Sequence, residues 1–124
     1  MEALSVEDFL LIAEAVLDVP GERLAQAARL DAAHAALAAA GRAAGLPDGA
    51  AVLCERLVRN RPLPYGNKPV ALLAMLELVS RNRGIWLSPP GGEHEVAITI
   101  GRLAAGELSP AAFRTWVRAH VRAR

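Results

Sequence analysis

Residues 60–82 read NRPLPYGNKPVALLAMLELVSRN, and this stretch decides the fold. Pro62, Pro64 and Gly66 fall within five residues, which excludes a helix there and requires a shaped loop. Asn67 is then a good N-cap, and Pro69 is tolerated in the first helical turn, where its missing N–H costs nothing. Val70, Leu72, Leu73, Met75, Leu76, Leu78 and Val79 are apolar nearly all round the following helix. Segment 69–82 is therefore expected to be the buried centre of a helical fold, ended by Gly84.

Toward the N-terminus, Asp48 is expected to leave the turn Pro47-Asp48-Gly49 as the cap of a helix that carries Val52, Leu53, Leu57 and Val58 to about Arg59. The Ala-rich stretch before it predicts a helix from about 28 to 44 with a loose start. Ser5 followed by Asp8 is a variant capping box opening a helix from about 6 to 18, stopped by Pro20-Gly21. Toward the C-terminus, Ile85-Trp86-Leu87 is extended and Ser88-Pro89-Pro90-Gly91-Gly92 is a loop. Residues 93 to about 105 fit a helix or a strand, with the acids at the start and the alanines at the end favouring helix. Ser109-Pro110 caps a last helix with Phe113, Trp116, Val117 and Val121 inward. The expectation is an all-α, single-domain bundle of about six helices over residues 1–124.

Composition agrees: 124 residues suit one core, and 26 alanines with only 4% aromatic residues favour packed helices over a β-sandwich. The net charge of +1 gives no field for nucleic acid, although residues 1–22 hold six acids and no base while the last helix carries Arg114, Arg118, Arg122 and Arg124. A lone Cys54 excludes an internal disulfide, and no Cys/His set has the spacing of a structural zinc site. No apolar run approaches the ~20 residues that span a bilayer, so a soluble, cytoplasmic protein without a membrane partner is expected.

The chemistry is expected at the loop that feeds helix 69–82. Backbone N–H groups at a helix start point outward with partial positive charge, and Gly66 would let a ligand approach the main chain. Lys68, the one lysine of the chain, sits in the first turn, and Arg59 and Arg61 precede the loop. Arg61, Gly66, Asn67 and Lys68 are thus candidates for holding a phosphate, against the plainer reading of a capped turn with solvated charges.

At these residues the sequence resembles the Fic/Doc (death-on-curing) family, whose loop runs His-Pro-Phe-x-Asp/Glu-Gly-Asn-x-x-Arg in Fic proteins and His-x-Phe-x-Asp-Ala/Gly-Asn-Lys-Arg in the shorter Doc branch. Pro62, Gly66, Asn67 and Lys68 stand in register, and Ala71-Leu72, Arg81-Asn82 and Gly106-Glu107-Leu108-Ser109 are similar to later parts of the Doc pattern. So is the opening Ser5-Val6-Glu7-Asp8-Phe9. The resemblance implies a six-helix toxin of a toxin–antitoxin module that uses ATP or another nucleotide to transfer AMP or a phosphoryl group to a protein hydroxyl. It also implies control by a separate antitoxin chain, since no Ser/Thr-x-x-x-Glu-Gly/Asn inhibitory helix is found.

Three positions depart from the family pattern. Arg61 replaces the histidine that takes the proton, and a guanidinium does not deprotonate. Tyr65 replaces the acid that binds Mg²⁺, and Pro69 replaces the terminal arginine. Loss of a general base alone costs ~10²–10⁴-fold. Phosphate binding can outlast this loss while the family reaction is impaired, so the alternative is an inactive Fic/Doc pseudoenzyme that acts as an interaction module, with Trp86 lining a groove.

Other residues carry plainer expectations. His34, His94 and His120 lie in separate segments with no acid or nucleophile at diagnostic spacing, although His94 could approach the anion site in three dimensions. Cys54 is expected to be a small core residue. Arg114, Arg118 and Arg122 form a stripe, more often a solvated face than a surface for an acidic partner.

Overall fold

The computed structural model describes all 124 residues as an all-α bundle of seven helices and two two-residue strands. At the start of α1 (Val6–Leu17) both bonds of the capping box form: Ser5 Oγ accepts from the Asp8 N–H at 3.1 Å, and an Asp8 oxygen accepts from the Ser5 N–H at 2.9 Å. The helix stops at Asp18, which is left-handed at φ 54°. Residues 21–27, for which the sequence pattern predicts no helix, form the short helix α2 (Gly21–Ala27), anchored by buried Leu24. Its start has Pro20 at the cap and no side-chain cap bond, so no sequence signal marked it. Helix α3 (Leu30–Gly41) is shorter than expected at both ends.

Helix α4 (Leu46–Asn60) corrects two expectations. Asp48 does not cap it: Gly45 is the cap, Pro47 lies in the first turn, and Asp48 is already helical. This helix, not the segment after the loop, is the centre of the fold, packed against α3, α5 (Asn67–Arg81), α6 (Gly92–Ala104), α7 (Pro110–His120) and the last strand. Gly49, Ala50 and Ala51 give α4 a slim waist that several neighbours can approach, and Leu53, Cys54, Leu57 and Val58 fill the space between them. Helix α5 is half-exposed instead, with Lys68, Pro69, Leu73 and Ser80 open to solvent.

The two ends of the bundle are tied by short polar and strand contacts. Arg81 at the end of α5 reaches Asp8 at 2.7 Å, and Asn82 holds the Glu2 backbone at both its N–H and its carbonyl. Strand β1 (Ile85–Trp86) pairs antiparallel with β2 (Val121–Arg122), with Trp86 opposite Val121. The half-buried Trp86 ring packs edge-on against Trp116 at 5.9 Å between centroids and beside His120 at 5.8 Å. The Arg stripe of α7 faces α4 for part of its length, where Arg114 meets buried Glu55 at 2.5 Å and Arg118 meets Asp48 at 3.2 Å. No helix is long and apolar enough to cross a membrane.

Candidate functional site

The loop between α4 and α5 is held from three sides. Arg61, left-handed at φ 48°, ends α4, and Pro62 and Leu63 turn inward and are buried. Asn67 does not cap α5 but occupies its first turn, with Gly66 as the capping residue. The Asn67 side chain turns back instead, accepting from the Leu63 N–H and donating to the Leu63 carbonyl, both at 2.9 Å. From the cap position just before α3, Arg29 clamps the other end: its guanidinium donates to the Asn60 and Arg61 carbonyls, and its backbone N–H donates to the Pro62 carbonyl at 2.8 Å. Arg29 also neutralises the carbonyl end of α4. Sequence reasoning missed it, because it lies 31 residues from Asn60 and carries no local motif.

Gly66 is explained by packing. It is left-handed at φ 74°, and a Cβ there would meet Leu17 of α1 at 2.3 Å. Its special geometry therefore lets the loop close on α1. The N–H groups of Asn67 and Lys68 have no acceptor in the protein, and Pro69 has none to offer, so the head of α5 carries free donors.

These donors border an open cleft of about 450 Å³ between the loop and the end of α6. Arg61, Tyr65 and Lys68 line it from the loop side, and Gly101, Ala104 and Ala105 from α6. The structure thus brings together Arg61, Gly66, Asn67 and Lys68, but in different roles. Arg61 and Lys68 supply side-chain cations with no acidic partner, whereas the amide of Asn67 is spent on Leu63. Arg59 is not part of the site, since it pairs with Glu55 at 3.4 Å.

No histidine or carboxylate lines the cleft; His94 is exposed elsewhere on α6. Tyr65, 53% exposed, provides the one hydroxyl. No group of three His, Cys, Asp or Glu residues in the chain could hold a metal ion. The arrangement can attract and orient an anion, but it offers no carboxylate to carry Mg²⁺ and no imidazole to take a proton.

Two other constellations can be set aside. Ser5, Glu7 and His34 border one groove between the N-terminal segment and α3, but no hydrogen bond joins them and Ser5 Oγ is occupied by the α1 cap. Cys54 is fully buried, and burial together with the nearby Glu55 charge pushes its thiol up to about 12, so it is no nucleophile. No family model matches the chain, and no curated protein matches it.

Proposed function

We propose that this chain is a Doc-like domain whose α5 cleft binds a phosphate-bearing ligand, and that it serves as the toxin component of a toxin–antitoxin module with weakened transfer chemistry. The resemblance of the loop to the Fic/Doc motif supplies the class. The observation that carries the reading is the pairing of Arg61 and Lys68, neither with an acidic partner, on one cleft at the head of α5. In the resemblance, the ligand is ATP or another nucleotide and the acceptor is a hydroxyl on a protein target. Arg61 and Tyr65 at the histidine and acid positions leave binding without the usual base or metal ligand.

Calorimetric titration with ATP, with and without Mg²⁺, tests the reading beside the Lys68→Ala variant. Binding indifferent to Mg²⁺ and weakened about tenfold or more in the variant is expected, since a charge-assisted contact contributes ~1.5–3 kcal/mol. No binding in either protein, together with no growth arrest on expression, would sink the proposal.

A second reading is favoured by one surface. Leu73, 42% exposed, stands over an apolar groove between α1 and α5 lined by Ile12, Val16 and Leu76. In a pseudoenzyme this groove would hold a partner helix, in the family's terms the antitoxin. Stoichiometric co-purification of that partner, lost in Leu73→Asp but kept in Lys68→Ala, would favour this reading over the first.

A further inference from the structure

Beside the cleft at the head of α5 lies a second, apolar one of about 300 Å³, lined by Lys68, Pro69, Leu72, Ala97 and Ile100. Lys68 and Pro69 border both, so the two adjoin along the seam between α5 and α6 as the halves of a trough, cationic at Arg61 and apolar at Leu72 and Ile100. Residues 97, 101, 104 and 105 fall on one face of α6, and all four are alanine or glycine. A methyl group added at Gly101 would touch nothing within 4 Å. The protein's own side chains leave this space unfilled.

We propose that the trough takes a single-chain anionic amphiphile: an alkyl or acyl chain ending in a phosphate or carboxylate. The head meets Lys68 and Arg61, and the tail lies over Leu72, Ala97 and Ile100. This rests on the reading of the α5 cleft as an anion site. Charge decides the head group, because two cations face the cleft and no acid does. Wall chemistry decides the tail. Apart from Lys68, the apolar half has no side chain that can donate or accept a hydrogen bond. A nucleobase edge or sugar hydroxyl would find no side-chain partner there beyond Lys68, whereas methylenes need none.

The test is a titration series on the full chain with inorganic phosphate, butyl, hexyl and octyl phosphate, octanoate, octanol and AMP. Affinity is expected to rise up to about fourfold per buried methylene, which corresponds to ~0.8 kcal/mol, until the apolar half is full. Octanol should bind far more weakly than octyl phosphate, and the comparison with octanoate identifies the preferred head. Gly101→Leu fills the trough in a helix that gains propensity, and Ala97→Glu places a carboxylate at an exposed position beside the tail. Both should lose octyl phosphate binding, whereas Ala97→Glu should weaken inorganic phosphate much less.

Phosphate binding that does not improve with chain length overturns the amphiphile and leaves the anion site standing. AMP binding tighter than octyl phosphate overturns it in favour of a nucleotide. Octyl phosphate binding that survives in folded Gly101→Leu and in Ala97→Glu overturns it by placing the ligand elsewhere. Binding of none of the anions overturns both the amphiphile and the anion site.

Discussion

Leu17 occupies the space that a side chain at residue 66 would need: a Cβ built on Gly66 lies 2.3 Å from Leu17 Cδ2. One contact thus joins the end of α1 to the loop that opens the cleft. Gly66→Ala suffers twice, from the left-handed backbone at φ 74° and from the overlap. A loss of about 1–2 kcal/mol is expected in urea unfolding, most of it from the backbone, since the half-buried Leu17 side chain has room to turn away. Gly66→Ala combined with Leu17→Ala relieves the overlap but not the backbone term, so the double variant should lose less than the sum of the singles.

Asn67 and Lys68 are neighbours with separable roles, and their variants should separate in the same way. Asn67→Ala removes two buried hydrogen bonds and leaves the Leu63 N–H and carbonyl unpaired, a cost of about 2–3 kcal/mol with loosening of the loop. Lys68→Ala touches only an exposed side chain and should leave the unfolding midpoint within about 0.5 kcal/mol. Anion binding falls in both, but only in Lys68→Ala does it fall without a stability change. A stable Asn67→Ala protein would refute the bracing role given to its amide.

What the sequence made legible is what local chemistry controls. Ser5 with Asp8, Ser109 with Pro110, and the prolines of the loop each act on their own few residues, and each appears in the structure where its pattern placed it. The centre of the fold was less legible. Helix α5 has the more continuous apolar run, but α4 has the small residues that admit neighbours on several sides, and packing depends on space as well as hydropathy. The loop's cations could be read, but not which donors are spent: Asn67 on Leu63, Arg59 on Glu55, and Arg29 on carbonyls 31 and 32 residues away. Such pairings exist only after the helices dock.

Glu55 and Arg114 supply a sharper stability test than the other α7 pair. Glu55 is 4% exposed and shared between Arg114 at 2.5 Å and Arg59 at 3.4 Å. Arg114→Ala strands a buried carboxylate with one long contact and should cost about 1–3 kcal/mol. Arg118→Ala breaks an exposed pair with Asp48 and an exposed bond to the Thr115 hydroxyl, and should cost about 0–1 kcal/mol. Thermal unfolding of the two variants should therefore rank Arg114→Ala well below Arg118→Ala. Equal midpoints would show that the buried carboxylate finds another partner.

Acid should release the latch between α1 and α5. The Arg81 guanidinium, followed by the Ser5 N–H, holds the Asp8 carboxyl at about 2 instead of its ordinary 3.8. A depressed folded value means that the carboxylate stabilises the fold above the unfolded value and that this contribution is lost as pH falls from about 4 toward 2. Thermal midpoints of the parent protein and Asp8→Asn should differ near neutral pH and converge across that window. A gap that stays constant down to pH 2 would mean that the variant acts through packing and not through charge.

Cys54 reverses the sign. Its thiol is pushed from 9.0 to about 12, first by burial and then by the Glu55 charge, so the folded protein keeps it neutral where an unfolded chain ionises it. The neutral thiol's contribution is present below about 9, and it is lost as pH rises from 9 toward 12, because thiolate formation then draws the equilibrium to the unfolded state. Cys54→Ala should accordingly show a flatter fall in stability over that alkaline range than the parent. Burial also governs reactivity at milder pH, since a disulfide reagent must wait for α4 to separate from its neighbours. The labelling rate of Cys54 should follow the unfolded fraction as urea is raised. Fast labelling of the native protein would place the thiol on a local opening of α4, and the centre of the bundle would then be its softest part.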